Sequence, residues 1–280
     1  MKRLAQALGL ALALHTSASA EYYDSPRPVS FSAVDGLVAG VNIAASCIIG
    51  GSPHLVRGRF SKAAKKCAQG AVGGVLIYGG LKAASLSSTP GLAWTGQILV
   101  NDGASIRENA ALGEGFFDEL GYTFGPIHLQ FSPTQKKYFE GWYLDSLSLV
   151  GMGIGISEHA NFDLKLSLYS GTLVFTNDDP TLESHTVGNT LILNQKHSDM
   201  RSAYEHEIVH VTEYRSYGTM DLALQNSRTY QDLSDKFHLR LGGHAGVSLA
   251  VLLSEPFPYY HKPTEFSAGE LTVYAVGNRR

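Results

Sequence analysis

The chain has 280 residues, of which 44% are hydrophobic and 17% are charged, and its formal net charge is −3. This length suits one large domain or two smaller ones, with a sizeable core. Disorder is excluded because the chain is rich in apolar residues and the charged fraction lies below the ~25% of ordinary soluble domains. Since basic residues are not in excess, we expect no nucleic-acid partner.

The first 20 residues have the pattern of a secretory signal peptide. Lys2 and Arg3 precede an apolar run over residues 4–14, and an A-x-A cleavage site ends at Ala20. The run is shorter than the ~20 residues of a membrane-spanning helix. We therefore expect residues 1–20 to be removed and the mature, bacterial-type protein to be exported to the periplasm or the extracellular space.

Residues 21–115 form a region rich in Gly and Ala that we predict to be helical. Two nearly uncharged stretches, 33–56 and 71–85, flank a basic segment at 57–66, and their glycine spacing is similar to that of helix-contact motifs in membranes. Because no stretch has 18 uninterrupted apolar residues, we expect two or three tightly packed helices rather than a membrane hairpin. The basic segment is interpreted as a solvated face, with contact to anionic lipid or wall polymer as the alternative.

The pattern changes in the second part, residues 116–280. Runs rich in β-branched and aromatic residues, separated by Gly, Pro and Asn-Asp turn signals, predict an antiparallel sheet of about five strands. The predicted strand segments are YTFGPIHLQF, YFEGWYLDSLSLVGMGIGI, ANFDLKLSLYS, TLVFT and NTLILN. Helical spacing follows over residues 199–216. The fold class predicted is α+β: a Gly-rich helical part, an antiparallel sheet, and then a helix that carries the candidate site.

That helix contains the segment HEIVH, which is an HExxH arrangement. His206 and His210 are four residues apart, so their imidazoles project from one face and can share one Zn²⁺ ion. Glu207 follows the first histidine and is placed to take a proton from the attacking water and pass it to a leaving amine. The alternative is a surface helix with two incidental histidines. We expect the preceding NTLILN to be the edge strand along which a substrate would lie.

A third zinc ligand has to come from another element. Glu213 and Ser216 stand at the Gly and His positions of a metzincin motif, which excludes that subclass. Glu213 is seven residues from His206, about 10 Å along the helix axis, too far for both to bind one tetrahedral ion at ~2 Å. The candidates are later carboxylates: Glu255, Glu265 and Glu270.

On these residues the chain resembles the zincin metallopeptidases, and more closely exported bacterial proteins with an HExxHVxQ-type helix. The similar segment covers about residues 188–270, with Glu213 where the resembled proteins carry Gln. In those proteins a later T/W-E-x-x-A segment offers the third ligand, and residues 264–268 read TEFSA here. The resemblance therefore implies Glu265 as the third zinc ligand.

Two further sets of residues are singled out. Tyr260 and His261 lie just upstream of Glu265, where either could donate a hydrogen bond to the oxyanion of a tetrahedral intermediate; an aromatic loop packed on the sheet is the alternative. Cys47 and Cys67, the only cysteines, either form a disulfide in an oxidising compartment or stay as buried thiols.

The sequence thus predicts an exported zinc-dependent hydrolase, a peptidase acting on peptide or protein substrates. Two alternatives remain. One is a non-catalytic envelope protein whose helical region contacts a membrane peripherally or another envelope component, with a degenerate HExxH helix. The other is a protein of metal storage or delivery, which would bind zinc without needing Glu207.

Overall fold

The structure is a computed structural model, and it describes residue 31 and residues 33–136, 138–196, 199–217 and 228–240. The elements, in chain order, are α1 (Ala33–Val56), α2 (Phe60–Ala84), α3 (Leu92–Leu112), β1 (Leu120–Phe124), β2 (Ile127–Phe131), β3 (Phe139–Asp145), α4 (Ser146–Ser157), β4 (Asn161–Phe162), α5 (Leu164–Ser170), β5 (Leu173–Asn177), β6 (His185–Val187), β7 (Thr190–Asn194), α6 (Met200–Tyr217), α7 (Arg228–Phe237) and β8 (Leu239–Arg240). The mixed α+β class is confirmed.

The first three helices pack against one another at very short distances, as the glycine pattern predicted. A Cβ atom added to Gly70 would lie 2.1 Å from the Ser46 carbonyl oxygen on α1, and one added to Gly73 would lie 2.5 Å from the Gly103 oxygen on α3. Only residues without a side chain allow this approach of two backbones. The other predicted contact motif, Gly36-x-x-x-Gly40, makes no such contact within the described residues, where nothing lies within 4 Å of a Cβ atom added to either glycine.

Covalent and ionic contacts hold α1 on α2. A disulfide joins Cys47 to Cys67, so the pairing that the sequence left open is present in the structure. The buried Lys82 ammonium group lies 2.8 Å from the Asp35 carboxylate, which is also buried. Because an uncompensated buried charge is costly, loss of either member of this ion pair would destabilise the packing of α1 on α2.

Two four-stranded sheets replace the single five-stranded antiparallel sheet that was predicted. The first has the order β1-β2-β3-β8 and the second β4-β5-β7-β6. Each combines antiparallel pairs with one parallel pair, β3 with β8 and β5 with β7. The NTLILN segment, expected at an edge, is β7 in the interior of the second sheet, with Leu191, Ile192 and Leu193 at most 1% exposed. The edge strand beside it is β6.

Two predicted strand segments are wrong in part, because helix caps override their β-like composition. The Asp145 carboxylate accepts a hydrogen bond from the Ser148 amide at the start of α4, and the Asp163 carboxylate accepts one from the Leu166 amide at the start of α5. In FDLKLSLY the alternating leucines suggested a strand, but Leu166 and Tyr169 are buried three residues apart, which is a helical spacing.

One hydrophobic core connects the first three helices, the second sheet and α6. It includes Ile77 and Leu81 from α2, Leu191 from β7, and Tyr204 and Ile208 from α6. This core contains residues from both sides of the domain boundary predicted between residues 115 and 116. The boundary itself stays a prediction.

Candidate metal centre

Helix α6, predicted over 199–216 and found over Met200–Tyr217, positions the candidate site. Its apolar stripe, predicted from the sequence, is buried: Tyr204, Ile208 and Val211 are fully enclosed. At its C-terminal end the buried Arg107 side chain of α3 donates a hydrogen bond to the Ser216 carbonyl oxygen. A cation at this end of a helix is favourable because it satisfies a carbonyl and opposes the helix dipole. The helix is thus fixed along one side and at one end.

The two histidines of HExxH converge on one point. The Nε2 atoms of His206 and His210 are 3.1 Å apart, and their rings are nearly perpendicular, with centroids 4.7 Å apart. This separation suits two nitrogens that bind one ion, since ligands at ~2.0–2.1 Å from zinc in tetrahedral geometry lie a little over 3 Å from each other. The structure therefore brings together the two metal ligands predicted with most support.

Glu213 contacts His210 at Nδ1, the ring nitrogen that does not face His206. Its Oε2 atom lies 2.8 Å from Nδ1 of His210, and the carboxylate is buried. With Nδ1–H as the donor, the lone pair of Nε2 is left for a metal, and the ring cannot turn freely. From the sequence, Glu213 was excluded as a ligand and was noted in place of the Gln of the resembled proteins; in the structure its carboxylate contacts the candidate ligand His210.

Glu207 lies against the edge strand of the second sheet. The hydroxyl of Thr186, on β6, donates to Oε2 of Glu207 at 2.8 Å, and the Glu207 side chain is 6% exposed. A carboxylate held this way, one residue after His206 on the same helix, is of the kind that accepts a proton from a water. Thr186 was missed by sequence analysis because nothing in a lone threonine 21 residues upstream indicates this contact.

A third ligand is not supplied by the part of the chain that the structure describes, where no group of three or more His, Cys, Asp or Glu side chains is arranged to hold a metal. The remaining predicted site residues, Glu265, Tyr260 and His261, lie outside the described residues, as do Glu255 and Glu270. The donor set that is visible, two imidazoles with one carboxylate on a ring nitrogen, fits zinc in its chemistry.

A small cavity of about 70 Å³ lies on another side of α6 and is separate from the histidine pair. Arg215 and Asn189 line it, together with His128, and the Arg215 guanidinium donates to Oδ1 of Asn189 at 2.5 Å. Burial lowers the pKa of Arg215 to about 9, and Asp145 opposes that shift. Arg215 follows His206 by nine residues, which is about 180° around a helix. Neither candidate histidine lines this cavity, so it is separate from the candidate metal centre.

Comparison of the chain with protein-family models, with curated proteins and with solved structures gives no match.

Proposed function

We propose that the protein is a zinc-dependent hydrolase of the peptidase type, working outside the cytoplasm. The observation that carries this proposal is the convergence of the His206 and His210 Nε2 atoms, 3.1 Å apart, on the helix that also holds the buried carboxylate of Glu207. The apolar N-terminal run and A-x-A site support export. The resemblance to zincin metallopeptidases supports the reaction class.

Each residue of the site has one task in this proposal. His206 and His210 hold the ion, and Glu213 keeps the His210 ring oriented through Nδ1. Bound zinc supplies a Lewis acid and brings the pKa of water to ~7. Glu207, kept in place by Thr186, accepts the proton of the attacking water and passes it to the leaving nitrogen. Glu265 is assigned as the third zinc ligand from the resemblance alone.

The edge strand β6 suggests how a peptide would approach. It is antiparallel to β7 and ends the order of the second sheet among the described residues, so its outer side is where an added strand would pair. Its central residue, Thr186, contacts Glu207, which brings this edge to the reacting centre. A peptide substrate, rather than a small ester, fits this arrangement.

The first experiment is elemental analysis of residues 21–280 after zinc reconstitution and desalting. We expect about one zinc per chain, lost in His206→Ala/His210→Ala. The matched control is His159→Asn, since His159 is exposed with φ 55°, a conformation that Asn tolerates. Wild-type protein without zinc would contradict the site.

The second experiment separates hydrolysis from metal storage or delivery. Glu207→Gln should keep its zinc and lose about 10²–10⁴ in the rate of cleavage of a fluorescence-quenched peptide library. Zinc in the wild type with no cleavage of any peptide would favour storage or delivery. Full activity of Glu207→Gln would contradict the role proposed for this carboxylate.

A further inference from the structure

Helix α1 exposes a continuous apolar face. Leu37, Val41, Ile48 and Leu55 are 52–64% exposed, and small residues fill the positions between them. They lie four, seven and seven residues apart, which are helical spacings, and therefore form a single stripe along the helix. This apolar face of α1 consists of Gly36, Leu37, Gly40, Val41, Ala44, Ala45, Ile48 and Leu55.

The polar groups of α1 lie on the opposite, protein-facing side. Asp35 is 3% exposed and paired with Lys82, and His54 is 1% exposed with its Nε2 3.0 Å from the Ala110 carbonyl oxygen. A helix on the surface of a soluble protein has the reverse arrangement, with apolar residues inward and charges outward. The inverted arrangement indicates that the outer face of α1 meets an apolar medium.

Exposed cations follow the apolar face at the α1–α2 turn and on the first turns of α2. Arg57, Arg59 and Lys65 are all exposed, and so are two large apolar side chains beside them, Val56 at 88% and Phe60 at 71%. Lys66 does not join this group, since its ammonium donates to Gln69 and to the Glu114 carbonyl. Cations next to exposed apolar side chains are the pattern of a segment that lies in the interface of an anionic bilayer.

Length and composition alone would let α1 cross a membrane, over Asp35–Val56. The contacts of its inner side favour a helix that lies on the surface instead. The disulfide from Cys47 to Cys67, the Asp35–Lys82 pair and the backbone approach at Gly70 hold α1 on α2 along its length. Insertion across a bilayer would take the charged pair and the helix behind it into hydrocarbon, which is costly.

We propose that the apolar face of α1, with the basic residues of the α1–α2 turn and the start of α2, docks the protein peripherally on a membrane that contains anionic phospholipid. The apolar side chains enter the interfacial region, and Arg57, Arg59 and Lys65 contact lipid phosphates. This contact does not depend on the zinc site, which lies on α6.

The test is co-sedimentation of residues 21–280 with vesicles of phosphatidylcholine, with and without 30% phosphatidylglycerol. We expect binding to the anionic vesicles that weakens with salt. Leu37→Ser/Val41→Ser/Ile48→Ser should abolish it, and Arg57→Gln/Arg59→Gln/Lys65→Gln should weaken it by roughly 100-fold. The matched control is Val150→Ser/Leu164→Ser/Leu168→Ser, with three side chains that are also exposed but lie on α4 and α5; it should bind like the wild type.

Several outcomes would overturn the proposal. No binding of the folded protein to anionic vesicles would mean that another surface covers α1. A dimer in the absence of lipid, dissociated by the serine substitutions on α1, would assign the face to a second copy of the chain. Retention after an alkaline carbonate wash would show a spanning helix instead of a peripheral one. Circular dichroism of each variant confirms that the fold is kept.

Discussion

At the scale of single residues, His210 is held by contacts at both ring nitrogens. Nδ1 meets the Glu213 carboxylate and Nε2 meets Nε2 of His206. A residue that accepts a hydrogen bond from a metal-binding histidine fixes the tautomer and the orientation of its ring. Loss of such a residue typically weakens metal binding by about 10–100-fold. The Gln of the resembled proteins would also offer an oxygen to Nδ1–H, so Glu213 keeps the acceptor while adding a charge.

This gives the first prediction. Glu213→Ala should weaken zinc binding by about 10–100-fold, because Nδ1 loses its acceptor. Glu213→Gln is the matched control and should stay closer to the wild type, since the amide oxygen replaces the carboxylate oxygen. Competition against a chromogenic zinc chelator measures both. Equal affinity of Glu213→Ala and the wild type would show that Glu213 does not position the ligand.

A second prediction concerns a half-buried carboxylate on α3. The Tyr122 hydroxyl donates to Oδ1 of Asp102 at 2.6 Å. Burial raises the pKa of Asp102, and this hydrogen bond partly opposes the shift. The folded protein therefore binds the proton more tightly than the unfolded chain does. At pH values above the pKa of Asp102 in the folded protein, the ionised carboxylate therefore lowers the free energy of unfolding. As the pH falls through that pKa, the carboxylate becomes protonated and the destabilisation disappears.

Asp102→Asn, which keeps the acceptor for Tyr122 and removes the charge, should have the higher free energy of unfolding at about pH 8, and the difference should shrink toward about pH 4. Urea titrations at several pH values measure it. Tyr122→Phe is the control of opposite sign, because it removes the hydrogen bond to the ionised form. A difference between Asp102→Asn and wild type that does not change with pH would contradict the assignment.

At the scale of elements, the helices with a strong local signal were predicted correctly. Helix α6 follows from the spacing of Tyr204, Ile208 and Val211, and it contains the HExxH residues within one element. The α4 segment was misjudged because its leucine and glycine content gives no clear period, and the α5 segment because its leucines alternate as they do in a strand. In each segment an aspartate at the N-cap position stabilises the helix by accepting a hydrogen bond from a backbone amide: Asp145 for α4 and Asp163 for α5.

The tight crossing of α1 and α2 provides a third prediction. Gly70→Ala should lower the free energy of unfolding by about 1–3 kcal/mol, because the new methyl group would meet the Ser46 carbonyl. Gly40→Ala is the matched control: it also lies inside a helix, but nothing is within 4 Å, so it should raise stability by about 0.5–1 kcal/mol. Urea denaturation of both variants checks the expectation, which fails if Gly70→Ala is as stable as Gly40→Ala.

At the scale of the whole molecule, the shared core joins helices and sheets that the sequence assigned to two regions. Ile77 of α2 and Tyr204 of α6 belong to the same buried cluster. Polar contacts between residues far apart in the sequence also join the two regions. One of them is the hydrogen bond from the Arg107 side chain to the Ser216 carbonyl oxygen. A structure tied together this way is expected to unfold cooperatively.

The two tryptophans test this fourth prediction, since Trp94 lies on α3 and Trp142 on β3. Trp142→Phe leaves Trp94 as the only reporter, and Trp94→Phe leaves Trp142. Within each variant, the urea midpoint from fluorescence should coincide with that from far-UV circular dichroism. Two separated transitions would instead support independent domains divided near residue 115.

Local spacing by itself determined the α+β class, the packed helices of the first region and the HExxH face, because each depends on residues a few positions apart. Contacts over long separations were decided only by the tertiary structure. These include the Thr186–Glu207 contact, the identity of the edge strand, and the outward direction of the apolar face of α1. The residues that form these contacts are present in the sequence, but which residues become partners depends on how the core packs.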